Sequence, residues 1–117
     1  MKYRHYAPKA EVILIEGNPA AMVGKIREMA GEYSSDGKKV GILAFDESRN
    51  EYDGATVKSM GSRIDLKTAA KRLFSLLREL DEEGIDVILA EGMLEKGLGL
   101  AVMNRLRKAS GYSIIDV

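Results

Sequence analysis

Val12-Ile13-Leu14-Ile15-Glu16-Gly17-Asn18-Pro19 carries a strand and the start of a helix in one continuous stretch. Four successive aliphatic residues leave no polar face, the pattern of a strand covered on both sides in a parallel sheet. Asn18 then supplies an N-cap oxygen, and Pro19 fills a first helical position that needs no N–H. A buried strand running into a capped helix opens an α/β unit, and the same alternation continues downstream.

The first predicted helix carries Met22, Val23, Ile26, Met29, Ala30 and Tyr33 on one stripe and ends at the turn cluster Ser34-Ser35-Asp36-Gly37. Val40-Gly41-Ile42-Leu43-Ala44-Phe45 is a second buried strand. Asp46 to Gly54 is a polar loop, and Ala55-Thr56-Val57-Lys58 is a short third strand whose weak apolar content suits a sheet edge. Between Asp65 and Glu82, Leu66, Ala69, Ala70, Leu73, Phe74, Leu77 and Leu80 recur at the 3.6-residue helical period. Asp86-Val87-Ile88-Leu89-Ala90 is a fourth strand. A last helix is predicted over 98–109, with Arg105, Arg107 and Lys108 near its end, where positive charge suits the helix dipole. Gly111 stops it, and Tyr112-Ser113-Ile114-Ile115 returns to the sheet.

The expected fold is α/β, a small Rossmann-like three-layer domain with a mostly parallel sheet of about five strands. The expected strand order is 3-2-1-4-5. It sets the loop Glu16-Gly17-Asn18 beside the loop from Glu91-Gly92 to Gly99. The domain proper spans 11–117, and residues 1–10 form an arm that Pro8 keeps from being helical.

The 117 residues fit one domain, long enough to bury a core without staples. Eighteen basic residues balance eighteen acidic ones, so no global field draws nucleic acid or an anionic membrane. With no cysteine and a single histidine, His5, disulfides, thiolate chemistry and multi-histidine metal sites are excluded, and no metal site is expected. Apolar runs fall far short of the roughly 18 residues of a membrane span, and no basic-then-apolar leader opens the sequence. A soluble, cytoplasmic domain is the expectation.

Chemistry is sparse in the globular part. Gly17-Asn18-Pro19-Ala20-Ala21-Met22 breaks the G-x-G-x-x-G dinucleotide fingerprint, and no G-x-x-x-x-G-K-[ST] phosphate loop occurs. Asp46 sits where a ribose-binding acid would, but without the glycines a solvated loop carboxylate is the preferred reading. Gly97-Leu98-Gly99 opens the last helix and can either expose N–H groups to an anion or permit close packing. Gly17, Asn18, Glu91, Gly97, Gly99, Asn104 and Arg105 together make a candidate ligand or interdomain crevice. Asp46-Glu47 and Glu82-Glu83 are adjacent pairs that do not converge along a helix face, and Lys67, Lys71, Arg72 and Arg78 are interrupted by acids. No catalytic residue is assigned.

The arm is different. Tyr3, Arg4, His5 and Tyr6 combine rings with donors suited to phosphate or carboxylate, although a plain basic terminus reads the same way.

Lys2-Tyr3-Arg4-His5-Tyr6-Ala7-Pro8 resembles the linker of the long-form threonylcarbamoyl-AMP synthases, where S-P-G-M-K-Y-R-H-Y-A-P joins a YrdC-like catalytic domain to a small C-terminal domain. The stretch from Gly97 to Ala109, G-L-G-L-A-V-M-N-R-L-R-K-A, is similar to that domain's terminal helix motif, G-L-G-x-A-[IV]-x-[ND]-R-L-x-[KR]-A. The resemblance covers the chain in order, with the middle matching in pattern alone, and the preceding Ser-Pro-Gly is missing.

The resemblance implies a Rossmann-like accessory and regulatory domain of an enzyme that makes threonylcarbamoyl-adenylate and pyrophosphate from ATP, L-threonine and bicarbonate, for threonylcarbamoyladenosine in tRNA. It implies that ATP, with Mg, and threonine bind in the catalytic domain, which this chain lacks, and that no cofactor binds here. Lys2, Tyr3, Arg4, His5 and Tyr6 then inherit the role of a lid over that active site. The implied partner is the catalytic domain, with no membrane and no direct tRNA contact. The competing reading is a free-standing small-ligand or nucleotide-binding module using the Gly17–Gly97 crevice.

Overall fold

The computed structural model describes residues 9–92, 103, 104, 107, 108, 110, 111 and 113–117. Strand β1 (Glu11–Glu16) leads into helix α1 (Pro19–Ser35), β2 (Val40–Ala44), a 3₁₀ turn at Arg49–Glu51, and β3 (Thr56–Ser59). Helix α2 (Leu66–Glu82), β4 (Val87–Glu91) and β5 (Ile114–Asp116) follow. Every strand pair is parallel, so the α/β reading stands as a five-stranded sheet with a helix on each face. The arm through Pro8 and most of the predicted last helix lie outside the described residues; 103, 104, 107 and 108 are helical.

Alternation along β1 divides the core in two. Val12 and Leu14 face a cluster built on Leu73, Leu77 and Leu80 of α2, while Ile13 and Ile15 face Met22, Ile26 and Met29 of α1. A residue pattern that is apolar throughout thus serves two cores at once, as a period of two requires. The α2 stripe also buries Leu76, which the periodicity left out.

The sheet order is β3-β2-β4-β1-β5, which corrects the expected 3-2-1-4-5. β4 lies between β2 and β1, with Val87 in register with Val40 on one side and Glu11 on the other. Hydropathy cannot rank β1, β2 and β4, because all three are apolar along their length. What seats β4 beside β2 is polar: Lys39 N–H donates to the Asp86 carboxylate (2.7 Å), and the Asp86 N–H donates back to the Lys39 carbonyl (2.8 Å). Glu16 and Gly92, at the exits of β1 and β4, still end up as neighbours, since those two strands pair directly.

Both helix starts are capped, the first as its sequence predicts. The Asn18 side chain accepts the Ala21 N–H (2.9 Å) with Pro19 at the first helical position, and Asp65 accepts from Thr68 N–H. Asn18→Ala is expected to lower stability by about 1 kcal/mol, a fall of roughly 4 °C in Tm, while Asn18→Asp or Asn18→Ser retains most of it. Thermal unfolding of the three variants checks this.

Candidate functional site at the carboxyl end of the sheet

In an open parallel sheet, ligands favour the crevice beyond the carboxyl ends of the strands, where the chain direction switches. In the observed order the neighbouring strands whose connections lead apart are β2 and β4, and the next gap, between β4 and β1, is filled by the chain's own groups. Gly92 N–H donates to the Ile15 carbonyl (2.8 Å), and Val117 N–H donates to the Glu16 carbonyl (2.8 Å). Arg107 grips Glu16 with two parallel bonds, Nε to Oε2 at 2.9 Å and Nη2 to Oε1 at 3.0 Å. Met103, 1% exposed, closes over Gly92, where a Cβ would stand 3.2 Å from the Met103 Cε and 3.0 Å from the Ile15 carbonyl oxygen. Gly17 has φ +153°, and a Cβ there would stand 2.6 Å from the Val117 carbonyl oxygen. Both glycines are required by close approach rather than by a bound anion.

Gly17, Asn18 and Glu91 therefore come to the same end of the sheet, Asn18 as a helix cap and Gly17 as a packing position. Asn104 is exposed on the helical residues beyond Met103. Gly97, Gly99, Arg105 and the arm residues Lys2, Tyr3, Arg4, His5 and Tyr6 lie outside the described residues. A cavity of about 210 Å³ opens elsewhere, between α1 and the loop after β2, beside Arg27, Gly31, Tyr52 and Gly54.

Glu91 is fully buried, and its carboxylate is satisfied from three directions. Oε1 accepts the Phe45 N–H (3.0 Å) at the end of β2. The Ser48 hydroxyl lies 2.8 and 2.7 Å from the two oxygens, and the Tyr52 hydroxyl donates to Oε2. The Arg63 guanidinium stands 3.6 Å away, donates to the Ser48 hydroxyl (3.3 Å) and lies over the Phe45 ring at 5.3 Å. Burial, and then donation to Glu91, push the Tyr52 phenol well above its ordinary range, so it stays protonated. A carboxylate with its lone pairs filled by protein donors is a strut, not a free acid or base.

Around it the loops are tied by shorter-range bonds. Glu47 accepts from the Ser62 hydroxyl (2.6 Å) and the Arg63 N–H (2.8 Å), and these bonds hold its carboxyl below the usual range. Asp46, read above as a solvated acid, is exposed but accepts from the Ser59 hydroxyl. Sequence reasoning missed Ser48, Tyr52 and Arg63. The available signal was Tyr52, a lone aromatic in an otherwise polar loop.

Residues 1–111 match the family model described as threonylcarbamoyl-AMP synthase, C-terminal domain. The chain belongs to this family. It is 52% identical over 117 residues to the threonylcarbamoyl-AMP synthase of Pyrococcus abyssi, covering 100% of this chain and 33% of that protein. It is 43% identical over 115 residues to that of Bacillus subtilis, covering 98% and 32%. The chain thus spans about a third of the length of these relatives. The crystal structure of P. abyssi Sua5 complexed with L-threonine superposes with a TM-score of 0.85 at 52% identity, over the whole of this chain and 33% of that one. The C-terminal Sua5 domain from Pyrococcus horikoshii superposes with a TM-score of 0.77 at 45% identity, over 95% of this chain and 100% of that one. Threonylcarbamoyl-AMP synthase C-terminal domains therefore share this sheet and its two covering helices.

Two outcomes are expected of the buried strut. Glu91→Leu strands the Phe45 N–H and the Tyr52 hydroxyl in the interior and takes the carboxylate from half-buried Arg63, and is expected to cost about 3 kcal/mol by denaturant unfolding. Because the folded Tyr52 is raised, its contribution is complete below the unfolded tyrosine pKa of about 10 and is lost as pH rises beyond it. Tyr52→Phe is expected to flatten the alkaline decline in stability between about pH 10 and 12, read as the difference between the two unfolding curves.

Proposed function

We propose that this chain is the accessory domain of a threonylcarbamoyl-AMP synthase and that its arm closes the active site of a YrdC-like catalytic domain. The reaction joins L-threonine, bicarbonate and ATP into threonylcarbamoyl-adenylate with release of pyrophosphate. ATP, with its Mg, is held by the catalytic domain, and no cofactor is assigned to this one. The product serves threonylcarbamoylation of the adenosine beside the anticodon of tRNA, a cytoplasmic task.

One observation carries the proposal: a match along the whole chain, at 52% identity, to a synthase of which this chain covers 33%. The geometry supports the division of labour. The gap at the carboxyl ends of β1 and β4 is filled by Met103, Val117 and the Glu16–Arg107 pair, so the crevice read from the Gly17 loop is given to packing. The balance of eighteen basic and eighteen acidic residues argues against this domain being the tRNA-binding part.

Within the arm, Arg4 offers a planar fork of donors to an anion, with Lys2 as a second cation. Tyr3 and Tyr6 exclude water while keeping polar tips, and His5 adds a further hydrogen-bonding ring. Closure matters because the carbamate and the adenylate are both open to hydrolysis until water is shut out.

The isolated chain is expected to release no pyrophosphate from ATP, threonine and bicarbonate, and to bind a catalytic domain supplied in trans. Titration with ATP, threonine and tRNA, followed by addition of that domain, checks both points. In the complete synthase, replacing Tyr3, Arg4 and Tyr6 by Ala is expected to lower product per ATP consumed by roughly threefold or more, with Tm unchanged. Unchanged coupling would reduce the arm to a tether.

A further inference from the structure

The cavity of about 210 Å³ between α1 and the loop after β2 takes no part in the function proposed above, and both its walls are fixed. Tyr52 lines it while the Tyr52 hydroxyl donates to buried Glu91, so the loop wall is anchored to the sheet. Opposite, α1 is seated in the core through Met22, Ile26, Met29 and Ala30. Ile42, 1% exposed, gives the cavity an apolar base. A pocket between two such walls is formed before any ligand arrives, which removes much of the ordering cost of binding.

Arg27 and Ser34 of α1 and Asp53 of the loop also line the cavity. Among the described residues, none of these three side chains has a hydrogen-bond or ion-pair partner, and Arg27 and Asp53 do not pair with each other. Arg27 alone would accept any small anion, but Asp53 in the same cavity repels one. A simple cation meets the opposite conflict with Arg27. A molecule that carries both charges close together satisfies both groups. Size narrows the class further. The volume is that of about seven waters, which suits a small amino acid and is too little for a nucleotide.

Gly31 points the same way. Glycine weakens a helix, and nothing stands within 4 Å of where a Cβ at Gly31 would lie, so packing does not require it there. The space it leaves open belongs to the cavity.

We propose that this cavity is a binding site for a small α-amino acid, with its carboxylate on Arg27, its ammonium on Asp53 and Ser34 as a further hydrogen-bonding group. Neither the arm nor the synthase reaction enters into this, so the site stands or falls separately from the lid.

A relative's C-terminal domain, 45% identical, has been crystallised by itself, so this chain can be used as it stands. L-alanine and L-serine are titrated into the isotopically labelled chain and followed by NMR, with propionate and ethylamine as analogues that carry one charge each. Saturable shifts at Gly31, Ser34, Asp53 and Gly54 are expected with both amino acids, half-complete at about a millimolar or below. Either analogue is expected to bind about tenfold more weakly or worse. Arg27→Gln and Asp53→Asn, both at exposed positions, are each expected to weaken binding about tenfold with Tm unchanged. Gly31→Leu is expected to fill the cavity, abolish binding and raise Tm. Gly24→Leu, at the other glycine of α1, exposed and off the cavity, is expected to raise Tm and leave binding intact.

No saturable shift with either amino acid, well above that concentration, would overturn the site. Binding retained in Gly31→Leu would put the ligand elsewhere and overturn it equally. Propionate binding as tightly as L-alanine would make this a plain anion site and overturn the amino-acid assignment.

Discussion

A carboxylate with no solvent exposure, Glu91, is the constraint around which one end of this domain is organised. Leaving such a charge in a dry interior without partners costs several kcal/mol, on the order of the whole stability of a small domain. The chain meets that cost by bringing in the Phe45 N–H, the Ser48 and Tyr52 hydroxyls and the Arg63 guanidinium from two separate segments. The loop after β2 and the turn between β3 and α2 are short of apolar residues and have little else to hold them down. Glu91 converts them from solvated connections into fixed walls. Asp46 with Ser59, and Glu47 with Ser62 and Arg63, then tie the outer layer of the same loops.

The fold was legible where residue period and punctuation are local properties. Asn18-Pro19, the apolar run of β1 and the stripe from Leu66 to Leu80 each specify an element without reference to the rest of the chain. Strand order was not legible, because it is set by pairings between segments of equal hydropathy. The decisive group there is Asp86, whose contacts with Lys39 cross 47 positions of sequence. The same limit applies to the site. Glu91 reads as a crevice acid from its place at a strand end, and nothing near it in sequence shows that Tyr52 and Arg63 converge on it. Gly17 reads as a ligand-binding glycine until Val117 is found against it.

The two ends of the sheet have been put to opposite uses. At the carboxyl end, where an open parallel sheet ordinarily receives its ligand, Met103, the Glu16–Arg107 pair and Val117 occupy the gap between β1 and β4. At the amino end, Lys39, Asp81 and Asp86 gather the start of β2, the start of β4 and the residues entering β1. All five strands are parallel, so their amino ends share one edge of the sheet, and the arm enters at that edge. Polar side chains that bind backbone rather than one another dominate there. They specify chain direction, which charge–charge contacts between flexible side chains do poorly.

That arrangement bears on what a rigid accessory domain contributes to a lid. A flexible tether of a few residues already confers a millimolar effective concentration of its tip near a neighbouring site. The surplus a folded domain adds is orientational: it removes the conformations in which the tip points elsewhere, and their entropy is lost once, on folding, rather than at each closure. Such a gain requires a stiff path from the sheet to the arm. Ala10 in the core and the paired amides of Lys9 and Ala10 on one carboxylate fix the chain as it enters β1.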